Sequence, residues 1–142
     1  MNADKRNNST VGNAGLFYCC YELARQGWNV LPTSRNAKGV DVVVYSSDGK
    51  KFRSVQVKTL SKKAPVPLGE KPTYDMAQFV IVCRLARDEQ LPEVFVMTPA
   101  EVDKVRHQGD PKKSKAGKTS FWLQPKGYEP HLNCWKKLDS EV

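Results

Sequence analysis

A β-branched run, Val40-Asp41-Val42-Val43-Val44-Tyr45, a Ser46-Ser47-Asp48-Gly49 turn and an alternating run, Phe52-Arg53-Ser54-Val55-Gln56-Val57-Lys58, leave this chain few ways to fold. The first run is almost continuously apolar, as a strand covered on both faces must be. Asp48-Gly49 supplies the backbone freedom of a tight reversal, and the second run returns with period two. Counting outward from Ser47-Asp48, Asp41 lies about seven residues back and Gln56 about eight forward, so the opening of one strand meets the end of the other. On the return strand Gln56 and Lys58 share one face while Val55 and Val57 share the opposite one. An acid, an amide and a lysine are thereby gathered at the open end of a hairpin.

The rest of the sequence supplies layers for that hairpin. Residues 1–9 are polar and are expected to be disordered. Ser9 or Thr10 caps a helix running to Gln26, ended by Gly27, with Leu16, Phe17, Cys20, Leu23 and Ala24 as its apolar face. Trp28–Pro32 reads as a short strand and Thr33–Gly39 as a polar loop. Lys62–Tyr74, broken by Pro65, Pro67, Gly69 and Pro72, reads as an excursion rather than a core element. Phe79–Cys83 and Val94–Met97 are buried strands, separated by the charged loop Arg87–Glu93. Thr98 and Pro99 open a helix through about His107. A basic loop, Gly109–Lys118, a short strand, Phe121–Leu123, and a closing helix, Pro130–Leu138, complete the order. A leading helix, a meander and a crossover imply an α/β fold, a mixed sheet flanked by helices, with residues 10–142 in one domain.

The 142 residues fit one domain of ordinary size, and 23 Lys and Arg against 15 Asp and Glu leave a charge of +8. That balance favours polyanions without choosing among them. No stretch has the apolar length of a membrane span and the first residues lack a signal-peptide core, so a soluble cytoplasmic protein is expected. Cys19, Cys20, Cys83 and Cys134 form no CxxC pair and read as reduced thiols, and His107 and His131 stand away from any zinc-ligand spacing. Gly117-Lys118-Thr119 lacks the earlier glycine of a phosphate-binding loop and precedes a strand rather than a helix. Trp28, Trp122 and Trp135 read as packing residues.

Glu22 on the first helix, Asp41 after Lys38-Gly39-Val40, and Gln56-Val57-Lys58 together resemble the PD-(D/E)xK nuclease superfamily, whose restriction-endonuclease-like fold is shared by restriction enzymes and Holliday-junction resolvases. The resemblance spans roughly Thr10 to Met97. It departs from the pattern twice, with Val40 in place of the proline and Gln56 in place of an acid. The resemblance implies a nuclease that uses Mg2+, with Mn2+ as an alternative. Asp41 would be the principal metal ligand, with Gln56 as a neutral second one, and the Val57 carbonyl and Glu22 as further ligands. Lys58 would hold the attacking water and offset charge in the transition state. On a helical wheel Glu22 falls with Gly15, Tyr18, Arg25 and Gln26, across from Leu16, Cys20 and Ala24, so a solvent-facing role stays open beside the catalytic one.

Candidate contacts to a nucleic-acid backbone, DNA by expectation, are Arg35 and Lys38 in the loop before Asp41, Lys50, Lys51 and Arg53 at the hairpin tip, and Lys112, Lys113, Lys115 and Lys118 in the basic loop. Lysine-rich surface loops also serve solubility alone. Small folds of this kind often pair so that two sites meet two strands, which makes a homodimer an expectation. Two alternatives remain open: a nucleic-acid-binding module that has lost catalysis with Gln56, and an accessory subunit of a defence or repair complex.

Overall fold

The computed structural model describes residues 7–34, 37–86 and 90–140. Its first element is an 18-residue helix, α1 (Asn8–Arg25), whose cap is Asn7: the Asn7 carboxamide oxygen accepts from the Thr10 N–H at 2.8 Å. The helix therefore starts before the expected Ser9 or Thr10. Three strands follow, β1 (Asn29–Pro32), β2 (Val42–Tyr45) and β3 (Phe52–Leu60). Then come β4 (Val66–Gly69), β5 (Phe79–Arg84), β6 (Glu93–Met97), α2 (Pro99–Val105), β7 (His107–Gln108), β8 (Phe121–Leu123) and α3 (Pro125–Tyr128).

Strands β1, β2, β3, β5 and β6 form one sheet in that order, antiparallel except where β3 lies parallel to β5. Every residue of β5 is buried, because alternate side chains feed two cores. Phe79, Ile81 and Cys83 join Cys19 and Leu23 of α1 on one face, and Val80 and Val82 join Val102 of α2, Leu123 and Tyr128 on the other. A parallel pair needs a crossover, and residues 61–78 provide it. The expected excursion is in fact partly structural: β4 alternates buried Val66 and Leu68 with exposed Pro67 and Gly69, and it pairs with β8 in a small sheet ordered β4, β8, β7. Its proline is tolerated because β4 is an edge strand.

The apolar face of α1 is rotated from the one expected. Phe17 is 65% exposed and Ala24 is exposed, whereas Gly15, Cys19 and Leu23 are buried. The cause is Gly15. A Cβ there would lie 2.0 Å from the Thr59 Oγ1, so only glycine lets the helix seat on β3. Burial thus follows the i, i+4 stripe through the smallest residue rather than the stripe with the largest side chains.

The closing helix expected over Pro130–Leu138 is instead two 3-10 turns, Glu129–His131 and Trp135–Asp139. Asn133 separates them with a left-handed φ of 53°, and its N–H bonds the Val94 carbonyl of β6 at 2.8 Å. The second turn places Trp135 and Leu138 in the α1-side core. Arg53 fastens it, donating from Nε to the Leu138 carbonyl at 2.8 Å and from Nη2 to the Ser140 carbonyl at 2.9 Å. Lys137 is likewise drawn in, meeting Glu101 at 3.0 Å and His131 Nδ1 at 2.7 Å.

Gly15→Ala is expected to destabilise the fold by about 2 kcal/mol through overpacking against Thr59. Gly12→Ala, with nothing within 4 Å of the added carbon, should gain up to about 1 kcal/mol from helix propensity. Urea unfolding of the two variants checks both signs. Burial, and then the Lys137 ammonium, hold the His131 imidazole below its ordinary value. Its stabilising contribution is therefore present above the ordinary histidine pKa of about 6.5 and is lost as pH falls toward the depressed folded value. Urea midpoints at pH 7.5 and 5.5 should differ less in His131→Gln than in the parent chain.

Candidate active site

Strand β3 outruns β2. Their register ends at Val42 opposite Val55, while β3 continues to Leu60 and stays paired with β5 on its other edge. The Asp41 N–H also donates to the Val55 carbonyl, at 2.8 Å. Asp41 and Val42 thus address one residue of β3, the count of a β-bulge, a device that turns a side chain out of the ladder. Thr33 holds the turned segment, its N–H donating to the Asp41 carbonyl at 2.9 Å and its hydroxyl to the Val40 carbonyl at 2.7 Å.

Freed from the ladder, the Asp41 carboxylate stands in for the missing strand. Its Oδ2 accepts from the Val57 N–H at 2.7 Å. In a strand the N–H and C=O of one residue point to the same edge, so the Val57 carbonyl also faces the vacated side. The first turns of α1 close over this edge and leave a cavity of about 600 Å³. Asp41, Val57 and Lys58 line it together with Thr33, Ser34 and Asn13. Among the described residues Lys58 enters no ion pair, which leaves its ammonium uncommitted.

Gln56 is only 6% exposed and lies on the face turned toward the crossover. Its Nε2 donates to the Thr73 Oγ1 at 3.0 Å and to the Gly39 carbonyl at 3.4 Å. Its Oε1 is buried and has no hydrogen-bond partner among the described residues. Both neighbours are held firmly. Gly39 has a φ of 77° and would place a Cβ 2.8 Å from the Met76 side chain, so any other residue there would be strained. Thr73 leads into a 3-10 turn, Tyr74–Met76, whose buried Tyr74 hydroxyl donates to Asp103 of α2 and receives a bond from Arg106 at 2.9 Å. Burial, and then the Asp103 carboxylate, push the Tyr74 phenol up to about 12, so it remains a donor.

Other expected site residues are elsewhere. Glu22 lies about 15 Å along the helix from Gly12, at the cavity, by the rise of 1.5 Å per residue. It falls on the sheet-facing side, 13% exposed, and pairs with Arg25 at 3.5 Å outside the cavity lining. The wheel placed it correctly beside Gly15 and Tyr18, but that side is the inner one. Arg53, expected at a nucleic-acid surface, is 7% exposed and committed to the C-terminal carbonyls. Lys50 and Lys51 are exposed, yet the hairpin tip is about 17 Å from Gln56 along β3 at 3.3 Å per residue. Lys38 is exposed in the bend beside Gly39. Lys112, Lys113, Lys115 and Lys118 are exposed, Lys118 meeting Glu70 at 3.6 Å. Arg35 lies outside the described residues. Sequence reasoning missed Asn8, Asn13, Thr59 and Ser61, which also line the cavity. Gly12-Asn13, a weak helix-forming pair inside a helix, was the signal for two turns of α1 facing a site.

The donor set suits a hard divalent cation. Asp41 offers a carboxylate of which only Oδ2 is engaged among the described residues, Val57 an edge-facing carbonyl, and Gln56 an amide oxygen with no partner. These are the oxygen ligands that Mg2+ takes, and it commonly binds through one or two carboxylates with substrate phosphates completing its shell. No group of three or more His, Cys, Asp or Glu residues able to hold a metal occurs among the described residues, and Asp41 is the one acidic residue in the described cavity lining. No described helix is long and apolar enough to cross a membrane.

No family model matches the chain, and no curated protein matches it in sequence. Among solved structures it is similar to the bacterial homing endonuclease I-Ssp6803I, with a TM-score of 0.64 at 16% identity over 94% of this chain and 93% of that one. A second similar structure is the Holliday junction resolvase Hjc of the archaeal hyperthermophile Archaeoglobus fulgidus, with a TM-score of 0.49 at 14% identity over 82% and 93%. The chain has a restriction-endonuclease-like fold, a mixed sheet flanked by helices.

Asp41→Ala is expected to cost about 1–3 kcal/mol of stability, because the Val57 N–H loses its acceptor. Lys58→Ala should stay within about 0.5 kcal/mol of the parent, as a side chain outside any bonded network. Urea unfolding in chelator separates the two.

Proposed function

We propose that this protein is a nuclease that uses Mg2+, with Mn2+ as a substitute, to hydrolyse phosphodiester bonds of DNA in the cytoplasm. The observation that carries the reading is that Asp41, Val57 and the uncommitted Lys58 line one cavity at a vacated strand edge, with Gln56, whose amide oxygen has no partner among the described residues, next to Val57 on β3. A cation held by Asp41, Gln56 and Val57 would supply Lewis-acid stabilisation of charge developing on the phosphate. The protein's own groups do the rest. The Val57 N–H fixes the orientation of the Asp41 carboxylate, and Lys58 orients the attacking water and offsets charge in the transition state. The amino-terminal end of α1 turns its positive pole toward a phosphate in the cavity.

The charge of +8 supports a polyanionic substrate. Lys38 and the Lys112–Lys118 loop are the exposed cations assigned to the backbone of that substrate, while Arg53, Lys50, Lys51 and Glu22 are given no part. Two copies acting together would address both strands of a duplex. A second reading, a binding module without catalysis, draws on Asp41 being the one acidic residue in the described cavity lining.

Plasmid, single-stranded and four-way-junction DNA incubated with Mg2+, Mn2+ or chelator should be cut only with the cation. Lys58→Ala should slow cleavage by about 100-fold or more, the loss typical of a group that meets transition-state charge. Its DNA affinity should hold, and should fall with salt as in the parent. Binding with no cleavage under either cation would favour the second reading.

A further inference from the structure

We infer that Thr73 is the positioning residue of this site, its hydroxyl holding the Gln56 carboxamide with its oxygen available as a ligand. The inference rests on the metal-site reading above and assigns a role to a residue of the crossover, outside the hairpin and outside the cavity lining.

A carboxamide has one donor end and one acceptor end, and the environment of Gln56 distinguishes them. The Gly39 carbonyl can only accept, so the end facing it must be the NH2. At 3.4 Å that bond is long. The shorter bond, 3.0 Å to the Thr73 Oγ1, anchors the group. With both N–H bonds directed this way, the oxygen is left buried without a donor. Such an atom costs about 1–3 kcal/mol unless something satisfies it. A carboxylate at position 56 would set a charged oxygen against the Gly39 carbonyl. The pocket is therefore shaped for an amide, and glutamine at this position is matched to its surroundings rather than a decayed acid.

Thr73 is suited to the task because its own segment is tied to α2. Its carbonyl accepts from the Met76 N–H at 3.0 Å, Tyr74 beside it is 3% exposed, and the Tyr74 hydroxyl is bonded to Asp103 and Arg106. The hydroxyl that aims Gln56 is thus fixed to α2 through one tyrosine. Partners of metal ligands act in this way, and removing one typically weakens metal binding by about 10–100-fold.

The test uses the full chain without nucleic acid. Mn2+ binding is measured by water-proton relaxation for the parent, Thr73→Val, Thr73→Ser and Asp41→Asn, with thermal melting in chelator for each and the Gln56 side-chain NH2 resonances followed during Mg2+ titration. Thr73→Val should stay folded but melt below the parent, as the Gln56 NH2 loses its shorter bond, bind Mn2+ about 10-fold more weakly, and lose the Mg2+-dependent shift of the Gln56 amide. Thr73→Ser, which keeps the hydroxyl, should restore the binding and the shift. Should valine unfold the chain, Thr73→Ala carries the same comparison with less steric demand. Parent-like Mn2+ binding in Thr73→Val, or a serine variant as weak as the valine one, would overturn the role of Thr73 while leaving the metal site standing. Equal binding by the parent and Asp41→Asn would remove the metal site itself, and the inference with it.

Discussion

The seating of α1 on β3 governs the rest of the molecule. Helix and strand approach so closely at Gly15 and Thr59 that a single methyl group would separate them. That approach fixes which side of the helix is buried, sends Cys19 and Leu23 into the core, and brings the first two turns over the end of β3. It acts together with a mismatch in strand length. Because β2 stops where β3 goes on, the helix covers a strand edge that has lost its neighbour, and a cavity results instead of a packed seam. The site is thus a consequence of packing geometry before it is a matter of chemistry.

The hairpin and its polar residues were legible because their signals are local. A β-branched run, an Asp-Gly turn and a period-two return determine register within a few residues, and register carries Asp41 toward Gln56. The small second sheet was less so. Val66 and Leu68 do alternate with exposed positions, but two prolines around them read as loop when the strand's edge position is unknown. The closing segment misled for a different reason: Asn133 turns left-handed to bond β6, a long-range contact that helix periodicity does not contain.

Among the expected site residues, two lie away from the cavity for a shared reason. Glu22 and Arg53 are charged, and charge alone does not say which partner a side chain finds. Glu22 found Arg25 one turn away, and Arg53 found carbonyls 85 and 87 residues distant. Thr73 had no motif to announce it, and Asn13 only the weak helix-forming pair it makes with Gly12. Their positions follow from the crossover and from the helix's tilt over β3, which arise only when the chain is assembled. Gln56 was legible as a departure from a pattern, yet the reason for it, two acceptors converging on one NH2 group, belongs to the folded protein.

The Arg53 clasp makes the carboxy-terminal turn part of the hairpin. A guanidinium is a rigid planar fork of donors, so one side chain can hold two carbonyls of the last turn at once. If the last turn lifted away, a cation that is 7% exposed in the closed form would be left beside Trp28 without the carbonyls that now receive it. Fraying at this end is therefore opposed from within the sheet. One side chain thus fastens two parts of the chain separated by most of its length.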